Sequence, residues 1–230
     1  MTSEKTPQSL PRVIAIDGPS GVGKSTLGKA LARKLDYLYI DSGAFYRAVG
    51  LKALNAGVSL DDQDGLTQLA REAAIAIEGD PDTIRIFLDA LDVSDAIRSP
   101  EASRAASVVA TCHGVREAVV DKLRQLSLTR GVVMDGRDIG TRVFPDAPVK
   151  VFLDASAEVR TQRRWEEDRA RGRLVSLEAV RNELAERDRR DRERDATPLV
   201  KAPDAVLIDS STMNADQLLN RVLEIILARG

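Results

Sequence analysis

The chain has 230 residues, 43% of them hydrophobic and 30% charged, with a formal net charge of −2. This balance is typical of a soluble globular protein with one large core, and it excludes a low-complexity or intrinsically disordered chain. The near-neutral charge and an aromatic content of only 3% argue against nucleic acid as a partner, and no apolar run is long enough to suggest a membrane partner.

The first residues and the rare residue types indicate the cellular context. Residues 1–11 are polar and lack the apolar core of a secretory signal, so we expect a short disordered tail. The single cysteine, Cys112, excludes an intramolecular disulfide and suits the reducing cytoplasm. The only histidine, His113, is its neighbour, and we expect a structural role for both.

The first apolar run, 13–17, predicts a buried strand, and apolar residues at helical spacing over 24–35 predict a helix. Between them the chain fits G-x-x-x-x-G-K-[ST], which in this context indicates a phosphate-binding loop rather than a ligand-free glycine turn. Its glycines let backbone N–H groups turn toward phosphate oxygens at the positive end of the helix. Lys24 can reach the β- and γ-phosphates, and Ser25 can bind Mg²⁺. The predicted ATP-binding residues are Gly18, Pro19, Ser20, Gly21, Val22, Gly23, Lys24, Ser25 and Thr26.

Further apolar runs alternate with helical patterns along the chain. Strands are predicted over 37–41, 132–135, 149–154 and 205–209, and helices near 43–55, 115–127 and 215–228. This alternation indicates an α/β P-loop NTPase fold, with a five-stranded parallel sheet flanked by helices. The strands end in aspartates, which at such positions either line the ligand crevice or cap the next helix. These are Asp17, Asp41, Asp135, Asp154 and Asp209.

The pattern changes between residues 57 and 111. Short strands are predicted over 75–78, 83–88 and 91–93, and a helix is predicted to open at Ser99 and Pro100. These features indicate a small inserted α+β region rather than another strand–helix–strand unit. We therefore expect a core of 12–56, 112–160 and 195–230, an insertion of 57–111, and a lid with its flanking helices over 161–194.

Residues 160–194 contain twelve arginines and no lysine. About half of these arginines are expected to form structural ion pairs. The absence of lysine indicates that others hold phosphate, because guanidinium groups fix its oxygens in a planar geometry. Segment 169–173 carries a glycine between two helical patterns, and we expect it to be the tip of a mobile lid.

A phosphate-binding loop indicates a nucleoside triphosphate but not the reaction. The N-K-x-D segment through which GTPases bind guanine is absent, and the chain has no room for the oligomer-forming domains of motor ATPases. An insertion and an arginine-rich lid favour phosphoryl transfer to a small acceptor, because lid closure excludes the water that would hydrolyse ATP. The alternatives are another small-molecule P-loop kinase, such as one for shikimate or dephospho-coenzyme A, and a non-enzymatic nucleotide-switch module.

Four segments resemble those of bacterial cytidylate kinases. They are 41–47 (DSGAFYR), 135–141 (DGRDIGT), 144–150 (FPDAPVK) and 186–192 (ERDRRDR). With the phosphate-binding loop, the resemblance extends from Val13 to Asp209. It implies the reaction ATP + (d)CMP → ADP + (d)CDP, carried out by a cytoplasmic, Mg²⁺-dependent monomer. It also implies that the insertion belongs to the nucleoside monophosphate (NMP) binding region.

The resemblance further implies an acceptor site. Its residues are Ser42, Arg47 and Arg137 for the CMP phosphate, Ser107, Arg116 and Asp138 for cytosine, and Arg187 and Asp191 for the ribose hydroxyls. A buried carboxylate accepts a hydrogen bond from the cytosine amino group, whereas uracil would place a carbonyl against it. The alternative is that Arg137 and Asp138 form a local ion pair and that Arg116 is a surface residue.

The last expectation concerns the metal and the transfer step. Asp135 ends an apolar strand at the usual Walker B position, so we expect it to hold Mg²⁺ with Ser25; the alternative is a capping role. The acceptor phosphate is already an anion, so no general base is needed, and cationic side chains would neutralise the transferring group. The predicted catalytic residues are Lys24, Arg137, Arg164 and Arg173.

Overall fold

The computed structural model describes residues 12–128, 130–193 and 198–229, so the predicted tail 1–11 and Arg194 lie outside the described residues. In chain order the elements are β1 (Val13–Asp17), α1 (Lys24–Leu35), β2 (Leu38–Asp41), α2 (Ser42–Asn55), α3 (Gln63–Glu72), β3 (Ile75–Glu78), β4 (Arg85–Leu88), β5 (Leu91–Asp92), α4 (Pro100–Val109), α5 (His113–Leu126), β6 (Val132–Gly136), β7 (Val149–Asp154), α6 (Ala157–Ala170), α7 (Leu177–Glu193), β8 (Val206–Asp209) and α8 (Ala215–Arg229). A 3₁₀ turn covers Ala96–Arg98, and a π-helical turn covers Ile139–Val143. Within the described ranges, no helix is both long and apolar enough to cross a bilayer.

The five long strands form one parallel sheet in the order β2, β6, β1, β7, β8, which confirms the predicted fold class. In register, Ile16 of β1 lies opposite Asp135 of β6 and Val151 of β7. Asp41 of β2 lies opposite the same Asp135. The carboxyl ends of these strands therefore meet at one edge of the sheet, directly beside the loop that follows β1.

Helices cover both faces of this sheet. On β1, Ile14 and Ile16 are completely buried and share a core with Leu31 of α1 and Ile226 of α8. The intervening Ala15 belongs to the core on the opposite face, with residues of α2, α3 and α5. This alternation follows from the two-residue period of a strand, and each buried Ile or Leu contributes about 1.5–3 kcal/mol by leaving water. The sheet edge thus provides rigid support for the loop after β1.

The insertion contains the predicted antiparallel strands, with β3, β4 and β5 in one small sheet. Ile77 of β3 lies opposite Ile86 of β4. Ser99 caps α4 as predicted, because its hydroxyl accepts a hydrogen bond from the Ala102 N–H at 3.1 Å. The boundaries of the insertion at residues 57 and 111 remain a prediction.

Helix α3 is an element that the sequence reasoning missed. Asp62 caps it by accepting a hydrogen bond from the Gly65 N–H at 3.0 Å. Its buried residues, Leu66 and Ala70, pack in the same core as α5, and the buried Cys112 lies in that core as well. This packing agrees with the structural role expected for the cysteine.

The arginine-rich segment folds as α6 and α7, joined by a turn in which Gly172 has a φ of +75°. The indole N–H of Trp165 on α6 donates to the carbonyl of Val175 at 3.0 Å, which holds the connection against the helix. The two helical patterns around the predicted lid tip are confirmed, whereas the mobility of that tip remains a prediction.

Candidate active site

The loop after β1 has the backbone conformation that a phosphate-binding loop requires. Gly18, Gly21 and Gly23 all have positive φ, at 147°, 81° and 96°, which glycine adopts without steric cost. At Gly18 a side chain would overlap the carbonyl oxygen of Leu153 on β7. At Gly23, which precedes α1, no atom lies within 4 Å of the position that a Cβ would take. The loop is therefore packed on one side and open at the positive end of a helix.

Lys24 lies in this loop with little exposure, at 7%. Its Nζ donates to the Pro19 carbonyl at 2.6 Å. Burial, followed by the positive charge of Arg137, lowers the pKa of Lys24 to about 7. An anion placed beside Nζ would reverse that shift, so the site favours a phosphate group electrostatically.

Asp135 and Ser25 form the candidate metal site. The Ser25 hydroxyl donates to Asp135 Oδ2 at 3.0 Å, while the buried Oδ1 has no hydrogen-bond partner among the described residues. Burial, followed by the negative charge of Asp41, raises the pKa of Asp135 to about 7. A cation would satisfy the free oxygen and relieve both effects, so these groups fit Mg²⁺.

Few side chains that could bind a metal lie together in the described residues, however. The described residues contain no cluster of three or more His, Cys, Asp or Glu side chains that could hold a metal. Mg²⁺ commonly keeps several waters and binds through one or two protein groups together with substrate phosphates. The arrangement therefore fits a metal that arrives with a nucleotide rather than a permanently held ion.

A cleft of about 390 Å³ opens at this edge of the sheet and extends from the phosphate-binding loop to α4 and α7. Most of the predicted site residues line it. They are Ser20, Gly21, Lys24, Ser25, Ser42, Arg47, Ser107, Arg116, Asp135, Arg137, Asp138, Arg164, Arg187 and Asp191. The predicted residues that do not line it are Gly18, Pro19, Val22, Gly23 and Thr26 of the loop, and Arg173 of the lid.

The cleft also has lining residues that the sequence analysis did not select. Tyr46 belongs to the 41–47 segment, and its ring lies 5.6 Å from the Arg116 guanidinium carbon. Arg171 lies in the predicted lid tip and pairs with Glu167 at 2.5 Å. Arg98 follows the small sheet. Tyr46 and Arg171 lie in segments that had been singled out, whereas nothing in the sequence pattern marks Arg98.

Arg116 and Asp138 face each other in the cleft wall as a buried ion pair. Their residues are 2% and 5% exposed. A second N–H of Arg116 donates to the Ala110 carbonyl at 3.1 Å, which fixes the guanidinium from behind. The alternative that Arg116 is a surface residue and Asp138 pairs with Arg137 is wrong, because Arg116 is buried on Asp138 and Arg137 pairs with Asp191.

Arg137 bridges the phosphate-binding loop and α7 instead. Its Nε pairs with Asp191 at 2.7 Å, and its Nη2 donates to the Ser20 hydroxyl at 2.7 Å. Asp191 and the neighbouring acids raise the pKa of Arg137, since they more than offset its burial. The predicted phosphate ligand Arg137 and the predicted ribose ligand Asp191 are therefore bonded to each other in this structure.

The same end of the cleft collects further positive charge. Arg47 pairs with Asp41 at 2.5 Å, which contributes to the lowered pKa of that carboxyl group. Arg187 has no hydrogen bond or ion pair within the described part of the chain. Burial, followed by the positive charge of Arg137, lowers its pKa to about 10. This excess of guanidinium groups favours an anionic ligand.

Both lid arginines predicted to be catalytic are held by one carboxylate. Asp168 is 1% exposed, pairs with Arg173 at 2.9 Å and lies 3.4 Å from Arg164 Nε. Arg164 lines the cleft and Arg173 does not. Arg164 is therefore at the cleft, whereas Arg173 pairs with Asp168 outside it.

The five strand-end aspartates differ in their surroundings. Asp41 and Asp135 line the cleft. Asp17 is buried and accepts hydrogen bonds from the Ile139 and Gly140 N–H groups, at 2.8 and 2.7 Å. Burial raises its pKa to about 6. Asp154 and Asp209 accept bonds from their own following residues. The expectation that some strand-end aspartates line a crevice is confirmed. The capping role expected of others is wrong for Asp154 and Asp209, because Ser156 caps α6 and Asn214 accepts the Gln217 N–H at the start of α8.

Comparison with known proteins agrees with this architecture. A family model described as cytidylate kinase matches residues 14–228. The chain is 50% identical over 211 residues to a cytidylate kinase from Pelotomaculum thermopropionicum, covering 91% of this chain and 93% of that protein. It is 45% identical over 212 residues to a cytidylate kinase from Desulfitobacterium hafniense, covering 92% and 91%. A crystal structure of an uncharacterized protein from Eubacterium ventriosum shares the fold alone, with a TM-score of 0.53 and 14% identity over 94% of this chain and 99% of that one.

Proposed function

The chain belongs to the cytidylate kinase family, and from this membership we propose that it transfers the γ-phosphoryl group of ATP to CMP and dCMP. The products are ADP and CDP or dCDP. The observation that carries the proposal is that a phosphate-binding loop and the buried Arg116–Asp138 pair face the same cleft. Donor and acceptor recognition therefore come from one chain and converge at one sheet edge.

The donor half of the proposal rests on the loop and Lys24. The open backbone of the loop, at the positive end of α1, suits the phosphates of ATP. The Lys24 ammonium would leave the Pro19 carbonyl, 2.6 Å away, and bind the β- and γ-phosphate oxygens. Because burial disfavours its charge in the free protein, the incoming anion regains that free energy on binding.

The acceptor half of the proposal concerns cytosine. Asp138 would accept a hydrogen bond from the exocyclic amino group, and Arg116 would donate to the ring carbonyl and ring nitrogen. Ser107 lies in the same cleft wall and would complete the contact with the base. Uracil presents a carbonyl where cytosine has the amino group, so it would leave two acceptors facing each other.

The remaining acceptor groups would bind the sugar and phosphate. Ser42, Arg47 and Arg137 are proposed for the CMP phosphate, and Arg187 and Asp191 for the ribose. The pKa of Arg187 supports an anionic ligand at this end of the cleft, because burial and then the like charge of Arg137 lower it in the free protein. Binding a phosphate nearby would replace repulsion among guanidiniums with attraction.

Magnesium is proposed as the metal that accompanies ATP. Ser25 and Asp135 would hold it, and the free Oδ1 of Asp135 supports that choice. When bound, the metal supplies charge neutralisation at the phosphates. The side chains Lys24, Arg137, Arg164 and Arg173 would orient the reacting groups and neutralise the transferring group. Because the acceptor is an anion, none of these residues has to remove a proton.

We also propose that the enzyme acts as a monomer in the cytoplasm. All the residues proposed for donor and acceptor belong to a single chain. The single cysteine is buried, which suits a reducing compartment. Light scattering at assay concentration tests the first point, since a dimer would give twice the mass of 25.0 kDa.

The test of the proposed function is ADP release by the purified chain with ATP, Mg²⁺ and one acceptor at a time. We expect turnover with CMP and dCMP, and much less with UMP. Turnover with shikimate or dephospho-coenzyme A but not CMP would favour the other small-molecule kinases. ATP binding without turnover in the presence of CMP would favour a nucleotide-switch module.

A further inference from the structure

The phosphate-binding loop has carbonyl groups that must be satisfied as strictly as its N–H groups. When the N–H groups of such a loop turn inward toward a ligand, several carbonyl oxygens turn outward into the protein. The Ser20 carbonyl accepts a hydrogen bond from Nη1 of Arg160, on α6, at 3.3 Å. Gly21 packs closely against the backbone of the same residue: a Cβ at Gly21 would lie 2.9 Å from the Arg160 carbonyl oxygen.

Arg160 is itself fixed by two other groups. Its Nη1 pairs with Asp188 of α7 at 2.7 Å, and its Nε donates to the Ala155 carbonyl at 3.2 Å. The side chains of Arg160 and Asp188 are 8% and 7% exposed. The other oxygen of Asp188, Oδ1, has no hydrogen-bond partner among the described residues. A buried arrangement of this kind is held in one geometry, because breaking it would strand a charge.

A second set of contacts also connects Ser20 with α7. Asp191 follows Asp188 by three residues, so both carboxylates lie on the same side of α7. Asp191 pairs with Arg137 at 2.7 Å, and Arg137 donates to the Ser20 hydroxyl at 2.7 Å. Ser20 is therefore held at its carbonyl and at its hydroxyl by two arginines, each anchored to α7.

We propose that Arg160 and Asp188 are a positioning pair that holds the phosphate-binding loop in its binding conformation and in register with α7. Neither residue lines the cleft, so neither acts on a substrate directly. They act through Ser20 and Gly21, on the donor side, and through the helix that carries Arg187 and Asp191 on the acceptor side. The kinetic part of the test rests on the proposed function; the binding part does not.

Loss of the pair has two expected effects. In Asp188→Asn the buried Arg160 loses its charged partner, and the phosphate-binding loop is no longer held in its binding conformation. ADP must then order the loop, which costs part of its binding free energy. We expect the Kd for ADP to rise about 5- to 20-fold. Misplacement of the donor phosphates lowers kcat by about 10- to 100-fold. In Arg160→Lys the charge remains, but one ammonium on a different stem replaces two nitrogens. It cannot keep the Nη1 contacts with Ser20 and Asp188 together with the Nε bond to Ala155, so similar losses are expected.

The experiment compares wild type, Asp188→Asn, Arg160→Lys, the double variant and Glu186→Gln. Glu186 is an exposed acid of the same helix that pairs only with helix neighbours in the described chain, so its variant is the control and is expected to match wild type. Calorimetry gives the Kd for ADP, steady-state rates give kcat and KM, and melting curves set a temperature at which every variant is folded. The proposal expects the double variant to lose no more than the worse single variant, because the two residues act as one unit.

Two results would overturn the proposal. One is a Kd for ADP and a kcat within about twofold of wild type in both folded single variants, which would leave only a structural role. The other is a double variant whose losses multiply, which would mean that the residues act independently. A wild-type chain that binds ADP but does not phosphorylate CMP would refute the proposed function. The Kd values for ADP would still decide whether Arg160 and Asp188 position the loop.

Discussion

The guanidinium of Arg116 and the carboxylate of Asp138 form an ion pair that is almost completely buried, yet both side chains line the cleft. A buried pair of this kind contributes little net stability, because desolvation offsets most of the attraction between the charges. The pair lines the same cleft as Ser107 and the phosphate-binding loop, and its carboxylate and guanidinium suit recognition of a base with one donor and two acceptor groups. We therefore propose that the specificity of the reaction depends on this pair.

Lys24→Ala is expected to keep the fold and lose most of the activity. The side chain is desolvated in the free protein, so removing its charge relieves a cost while leaving the surrounding loop in place. We expect kcat to fall by about 10²- to 10⁴-fold, as for the loss of one electrostatic stabiliser, with a melting temperature near that of wild type. Lys24→Met, which keeps most of the apolar stem, is the companion variant. Near-wild-type turnover in either would contradict the donor-site assignment.

Asp135→Asn is expected to stabilise the ligand-free protein while abolishing most activity. Burial raises the pKa of Asp135 to about 7, above its unfolded value of about 4, so the ionised group destabilises the fold increasingly from about pH 4 to pH 7 and fully above it. The variant should therefore raise the free energy of unfolding by about 2–4 kcal/mol at pH 8 and by about 1 kcal/mol at pH 5.

Urea unfolding at the two pH values measures this effect. Asp154→Asn is the matched control, because Asp154 ends β7, another strand of the same sheet, with an exposed side chain. Its effect on unfolding should be the same at both pH values. If Asp135→Asn changes the free energy of unfolding equally at pH 8 and pH 5, or lowers it, then the ionised Asp135 does not destabilise the free protein.

Hydrogen exchange is expected to slow across 160–193 when a bisubstrate analogue binds. Without ligand, Arg187 forms no hydrogen bond or ion pair within the described ranges, and Arg173 pairs with Asp168. Phosphates from both substrates would draw these guanidiniums together and order the helices that carry them. Peptides from α3, whose buried Leu66 and Ala70 pack on the opposite face of the sheet and do not line the cleft, are the internal control. Unchanged exchange over 160–193 would refute the lid.

The parallel sheet could be predicted because its signals are local. Apolar runs of β-branched residues, each followed by a helical period, define β1 and α1 and their repeats without reference to distant contacts. Helix α3 was missed although Leu66 and Ala70 have helical spacing and Asp62 provides a cap. The helix has only ten residues, and it was missed because the sequence analysis assigned the surrounding region to short strands.

Other features depend on residues far apart in sequence. The π-helical turn at Ile139–Val143 is fixed by Asp17, whose carboxylate accepts two N–H groups from a segment more than a hundred residues away. The sequence left an Arg137–Asp138 pair open as an alternative, but Arg137 reaches Asp191 and Ser20 instead. The phosphate-binding motif and the family resemblance thus identified most of the residues that meet at the cleft, whereas their pairing depended on the tertiary fold.

The most direct test of cytosine recognition is kcat/KM for CMP and for UMP in wild type and Asp138→Asn. The amide of asparagine can donate to the uracil carbonyl, so we expect the CMP-to-UMP ratio to fall by about 30- to 1000-fold, equivalent to about 2–4 kcal/mol, with ATP binding little changed. Glu117→Gln, which breaks an exposed pair on the helix that carries Arg116, should leave the ratio unaltered. An unchanged ratio in Asp138→Asn, with a lower melting temperature, would mean that Asp138 is only a structural partner of Arg116 and would contradict its role in base selection.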